Sequence, residues 1–475
     1  MICPQGNCTQ TKRLAHPVTV QVRTPNRLPF AAVALLFLTG FGLAGCGEGR
    51  AQKPVAGVSN SVMVAQDGLP NTLVELNDWY TEPPPGKNAA TFFSQGLEAL
   101  QLSSKDIGDM PLLGKGKLPA AGAPLAQPVK MALTRIVNAN ADAFRFFAQG
   151  AQLEQCRYPV ELARGLDAIF PHVPKLRNAG LLAELAAVLH SESKQPQEAA
   201  NDVLIAFDLA RSLQAEPALL SQLIRVAGIS TALAALEQSL NRANLPARAL
   251  NPITKALEKM EEWDGRGEGF TRALVGERVS GRALFADRDL LLRAMTGPGV
   301  HLSATGRAAM KERAQDAGKL TVEKLYFENT FQELMAARAE TFPERLKSDG
   351  LIRQKATEAT NQNLIVNGVL LGGLTRRCAQ EAEALACCRL GLIAIALERF
   401  RAAHDNKYPA VLSELAPDYL GSCPTDPFDG QPLRYRKQAA GYQLYSIGPD
   451  LQDNSGTRMS GHKGDLVFAV VVPPP

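Results

Sequence analysis

The sequence predicts a mainly α-helical protein, with helical hairpins arranged as an irregular solenoid or a bundle, ending in a smaller α+β unit of one long helix and a three-stranded antiparallel sheet. Three observations predict it. Between residues 129 and 372 apolar side chains recur at helical spacing. The joints between these runs are short and marked by Pro and Asn, so neighbouring helices should pack antiparallel. From Leu433 onward the period drops to two, as half-buried strands require. With 475 residues, 45% hydrophobic and 21% charged, the chain can bury more than one ordinary core.

The first segment, 1–45, reads as an export signal. Lys12, Arg13, Arg23 and Arg27 stand without any acid before the apolar run FAAVALLFLTGF, Phe30 to Phe41. A basic head, a short apolar centre and small residues after it make a secretory signal, and the run is too short to span a bilayer comfortably. The following Leu43-Ala44-Gly45-Cys46 resembles the lipobox of bacterial lipoproteins. That resemblance implies removal of residues 1–45, a lipid on Cys46, and attachment to the cell envelope, facing the periplasm or at the outer membrane, without a span.

Charge and cysteine content narrow the classes further. The chain carries 51 basic and 47 acidic residues; losing four cations with the signal leaves 51 − 4 = 47 of each sign. A neutral mature chain lacks the electrostatic footprint of a nucleic-acid binder. Cys156, Cys378, Cys387, Cys388 and Cys423 remain beyond the lipid site, an odd number without metal-ligand spacing. Pairing of Cys156 with Cys378, or of Cys388 with Cys423, is left open by sequence, beside the simpler expectation of buried thiols.

Residues 46–87 are expected to form a tether, and residues 88–372 the helical domain. Asn88 should cap a helix reaching Leu100. In the segment from Gln197 to Leu213 apolar residues surround the helix, as packing on two sides demands; Leu250, Ile253, Leu257 and Met260 form one stripe. No fixed repeat period is present. Catalytic patterns are weak here. GISTA (Gly228 to Ala232) lies mid-helix, SESK (Ser191 to Lys194) follows a helix end, and GRGEG (Gly265 to Gly269) lacks the lysine and hydroxyl that hold a phosphate. Glu261, Glu262 and Asp264, at a helix end, are expected to meet solvent.

Residues 373–475 form the α+β unit. A helix ending LIAIALERFRAAHDNKYP leads to strands in which Leu433 and Tyr435 alternate with Arg434 and Arg436, Tyr442 and Leu444 with Gln443 and Tyr445, and finally to GDLVFAVVV. Phe400 and Tyr435 are expected between helix and sheet. The order Tyr408, Pro409, Leu412, then Asp426, Pro427, Phe428, Gly430, Pro432, Tyr435, then Tyr445, Ser446, Gly448, Asp450 resembles the globular domain of the major pseudopilin of type II secretion. The resemblance covers about a fifth of the chain and implies a long helix against a three-stranded sheet, with calcium in the acidic loop. Asp450, Asp453, Asn454 and Asp465 are the candidate calcium ligands. Two departures accompany it: the peptidase site and polymerising apolar helix of that family are missing, and Leu451 follows Asp450 where the family has glycine.

Together these features predict a non-enzymatic envelope lipoprotein whose helical scaffold presents a pseudopilin-like domain to envelope proteins, including secretion or pilus components. An exported hydrolase or glycan-active enzyme, and a small-molecule or peptide carrier using a helical groove, are the alternatives. No catalytic residue is assigned.

Overall fold

The computed structural model describes residues 68–103, 107–296, 303–338 and 341–471. The export signal and Cys46 lie outside the described residues. The fold is mainly helical with one small sheet, as the periodicity predicts. Its helices are α1 (Leu73–Trp79), α2 (Ala89–Ala99), α3 (Gln127–Ala139), α4 (Ala141–Ala151), α5 (His172–Glu192), α6 (Pro196–Arg211), α7 (Leu219–Leu240), α8 (Ala247–Gly265), α9 (Glu268–Ala286), α10 (Arg288–Thr296), α11 (Ala304–Gln315), α12 (Ala317–Ala337), α13 (Lys347–Asn361), α14 (Ile365–Gly372) and α15 (Arg377–Ala403). Strands β1 (Arg434–Gln438), β2 (Gly441–Ser446) and β3 (Leu466–Val470) follow, antiparallel in the order β1-β2-β3.

Local chemistry sets several boundaries. Asn88 accepts the Ala90 amide at 3.0 Å and opens α2, as expected of that side chain. Asp349 supplies the equivalent for α15 from another helix, accepting the amides of Cys378 at 3.1 Å and Ala379 at 2.8 Å. The stripe Leu250, Ile253, Leu257 and Met260 is buried, which turns α8 toward α15 and α6.

One hydrophobic core extends from Leu76 to Val470, so the expected boundary at residue 373 does not interrupt the packing. The reason is α15: buried along most of its length, it packs against α7 and α8 and also against β2 and β3. Helix α7 is long and apolar enough to cross a membrane by length and composition, yet just over half of its apolar window is covered by the fold. The expected tether also needs shortening. Residues 73–79 are helical, Leu76 and Tyr80 are buried, and α9 holds this stretch through Arg278 donating to the Pro70 carbonyl at 2.7 Å, Arg282 to Asn71 Oδ1 at 2.8 Å, and Arg272 lying 4.4 Å over the Trp79 ring.

Register puts Tyr435, Leu444 and Phe468 side by side, with Tyr442 beside Val470, on one face of the sheet. That is the alternation read from sequence. Phe400 differs from its expected position: it is buried, but its ring stacks on His404 at 3.8 Å and meets Tyr419 edge-on at 5.5 Å, under the loop before β1. The outer edge of β3 is closed by α7. Glu237 accepts the Ala469 amide at 2.9 Å, while Asn241 donates to the Ala469 carbonyl and accepts the Val471 amide. Side chains thereby replace a fourth strand on an edge that would otherwise invite pairing.

Candidate functional site

The acidic loop is built by its own turns. Asp450 accepts the amides of Gln452 at 3.1 Å and Gly464 at 2.8 Å, and the Asn454 side chain at 3.3 Å. Asp465, fully buried, accepts the amides of Asn454 at 3.1 Å and Gly456 at 2.6 Å. Asp453 caps its own turn through the Ser455 amide at 2.8 Å. The fold thus gathers Asp450, Asn454 and Asp465, while Asp453 serves a neighbouring turn. Arg458 is directed away from them, to Glu237 and to the Val467 carbonyl. Among the described residues no group of three or more His, Cys, Asp or Glu stands close enough to hold a metal ion.

The motif residues around Asp426 have a structural reason. Its buried carboxylate accepts the amides of Phe428 at 3.0 Å and Ile447 at 2.9 Å, the Ser446 hydroxyl at 2.9 Å and the Arg434 guanidinium at 2.7 Å. Its own carbonyl accepts the Gly430 amide at 2.8 Å. One side chain therefore joins the turn before β1 to the end of β2. Tyr408 donates to Glu398 of α15 at 2.8 Å, and Tyr435 to the Pro409 carbonyl at 2.9 Å. These bonds fix the chain path between α15 and the sheet.

Sequence reasoning missed two buried polar centres. In the first, Arg225 of α7 forms a two-point ion pair with Asp264 of α8, at 3.1 and 2.5 Å, with both side chains sealed from solvent. Beside it Arg345 reaches Glu381 at 3.4 Å, and Glu381 accepts the Phe270 amide at 2.8 Å at the start of α9. The expectation that Asp264 meets solvent is wrong because α8 carries one more buried turn than its acidic end suggests. The GRGEG stretch breaks the helix as expected, and its glycines fit this centre: Gly267 has φ 71°, and a Cβ there would lie 1.9 Å from the Arg345 guanidinium. The adjoining cavity has about 20 Å³, space for one water and too little for a substrate.

Burial has a measurable consequence here. It pushes Glu381, Glu277 and Glu383 up to about 7 and Glu184 up to about 8, with the nearby carboxylates of Asp264 and Glu237 adding to the rise of Glu381 and Glu184 respectively. A carboxyl raised in the folded state binds protons more tightly there than in the unfolded chain. Its stabilisation is complete below the ordinary value near 4.5 and is lost as pH climbs through 7 to 8. Resistance to urea should therefore fall between about pH 5 and pH 8.5, and Glu184→Gln should flatten part of that slope, as read from denaturation midpoints.

The second centre surrounds Glu216, which is fully buried. It accepts from Tyr80 at 3.2 Å, meets His172 Nε2 at 3.1 Å and accepts from Ser221. A serine nucleophile needs the imidazole between hydroxyl and carboxylate, whereas here the carboxylate lies between serine and histidine. Nearby Cys156 is a free thiol, and burial drives its pKa far up, away from a reactive thiolate. Cys378, Cys387, Cys388 and Cys423 are likewise free, so neither of the open pairings forms. Both centres stitch helices together. No family model, curated protein or solved structure matches this chain.

Proposed function

We propose that the protein is a non-enzymatic lipoprotein of the cell envelope, a helical scaffold that carries a pseudopilin-like α+β unit toward secretion or pilus-type components. The observation that carries this reading is the position of α15. In a filament subunit the helix leading into the sheet must be free to pack against other copies, but here α7 and α8 cover it. The α+β unit is also tied to α7 through Glu237 and Asn241. Such a unit can dock on an assembly without joining it as a repeating subunit. The polar centres support the same reading, since their ionic groups are spent on one another.

Two experiments address the proposal. Cross-linking in envelope membranes followed by affinity recovery should return secretion or pilus components with the wild type and lose them with a variant lacking residues 408–471; recovery of the same proteins by both would exclude the α+β unit as the docking part. Fatty-acid labelling should mark wild type and leave Cys46→Ser unlabelled. Equal labelling of the two would remove the lipid anchor.

Calcium in the loop at Asp450, Asp453, Asn454 and Asp465 belongs to this proposal. The resemblance of the loop carries this part of the proposal: Asp450 and Asp465 accept backbone amides across the loop, and calcium would have to replace some of those bonds. An ion bound only by the folded chain raises the melting temperature. The full chain should melt higher in millimolar calcium than in chelator, and Asp450→Ala should abolish the difference. Identical wild-type curves would exclude calcium.

A further inference from the structure

We infer that the slot between α5, α6 and α7 binds the hydrocarbon chain of a free, medium-chain anionic amphiphile, with Arg177 meeting its carboxylate. Each helix contributes one face: Leu176 and Gly180 from α5, Leu209 and Leu213 from α6, Ile224 and Gly228 from α7. The space measures about 190 Å³ and is lined mainly by apolar side chains and glycine, with Arg177 and Thr231 as its polar members. Thr231 spends its hydroxyl on the Ala227 carbonyl, leaving the guanidinium as the available polar group. Arg177 is exposed and forms no ion pair among the described residues.

Gly180 supplies an independent observation. A glycine inside a helix costs about 1 kcal/mol relative to alanine, and packing usually explains its presence. Packing explains Gly228, where a Cβ would stand 2.9 Å from that of Ala210. At Gly180 an added Cβ meets nothing within 4 Å, although the residue is buried. The missing side chain keeps the slot open. Helix α7 adds to this, because part of its apolar surface is uncovered and borders the same slot.

Size and charge select the ligand. A dry apolar cavity of about 150 Å³ accepts benzene, so this slot accepts roughly seven or eight saturated carbons. The unpaired guanidinium at its rim matches a carboxylate. This slot would add a carrier role to the scaffold and does not depend on the scaffold reading.

Titration calorimetry of the full chain with hexanoate, octanoate and dodecanoate tests the inference. Each carbon from six to eight should strengthen binding roughly fourfold, from the transfer free energy of a methylene. Beyond eight carbons the affinity should level off. Gly180→Leu, whose Cβ would meet nothing within 4 Å, should weaken octanoate at least tenfold while keeping the wild-type melting temperature or raising it. Gly180→Met, with a more flexible side chain of similar volume, provides the same comparison should the leucine variant not fold. Arg177→Gln should weaken octanoate and leave octanol unchanged. Affinity rising steadily to dodecanoate, equal octanoate binding by wild type and a folded Gly180 variant, or no octanoate binding at millimolar concentration would each overturn the assignment. Flotation with phosphatidylglycerol vesicles that is lost in Gly180→Leu would assign the slot to membrane lipid and overturn the free-amphiphile proposal.

Discussion

Asp264→Ala is expected to destabilise the protein by about 3 to 5 kcal/mol, the usual cost of leaving one member of a buried ion pair alone. Arg225 is fully enclosed and takes both of its guanidinium-to-carboxylate bonds from Asp264. Its Nε donates to Gln222 at 2.8 Å, which carries no charge. Replacing both members by apolar residues of similar volume, Arg225→Met with Asp264→Leu, should recover most of the loss, because neither buried charge then remains. The loss should also depend on pH. Glu381 lies close enough to act on Arg225, and its pKa is raised to about 7 by burial and then by Asp264. With Asp264 removed, an ionised Glu381 can partly balance Arg225. The single variant should therefore lose more stability at pH 5.5 than at pH 8, measured against wild type by urea denaturation at each pH. Equal losses at both pH values would show that Glu381 does not compensate.

Asp426→Ala is expected to cost a similar amount, about 3 to 5 kcal/mol, through several unsatisfied partners at once. The carboxylate satisfies two backbone amides and one hydroxyl that are buried with it, and pairs with Arg434. Asp426→Asn should be nearly as damaging, since its amide nitrogen would face donors. Ser446→Ala, which removes one accepted bond and keeps the carboxylate, should cost only about 1 kcal/mol. Denaturation midpoints would rank the three variants, with an unchanged urea dependence indicating that the folded state is retained. A small effect of Asp426→Ala would mean that Arg434 and Asp429, joined at 2.5 Å, hold the turn without it.

Both expectations concern residues that the sequence treated unequally. Asp426 was visible as part of an ordered motif, although its four partners were not. Asp264 stood in the acidic end of a helix and looked like a solvent-facing residue. The difference is that Asp426 bonds mainly within its own turn and strand pair, whereas the partner of Asp264 lies on another helix, 39 residues away. The acidic loop is an intermediate case. Its Asx turns are local and legible, but the return of Asp465 to Asn454 and Gly456 depends on where β3 begins.

The division of the chain had the same limit. Spacing identified α15 and the three strands but not what covers the helix. Because α15 is apolar around most of its circumference, it can serve two groups of neighbours, and the helical and α+β parts share it. The stretch 73–80 falls inside the tether expected over 46–87, yet it is helical and packed. Arginines from α9, more than 190 residues later in the chain, hold it in place.

The sequence by itself determined the helical body, the switch to strands after Leu433, the Asn88 cap and the inward stripe of α8, because these follow from backbone periodicity and bonds between near neighbours. Only the tertiary structure decided that Arg225 meets Asp264, that Glu216 gathers Tyr80, His172 and Ser221, that Glu237 closes the edge of β3, and that the space above Gly180 stays open. A buried charge needs a partner wherever the chain brings one, and an empty slot exists only where three separate helices fail to fill it.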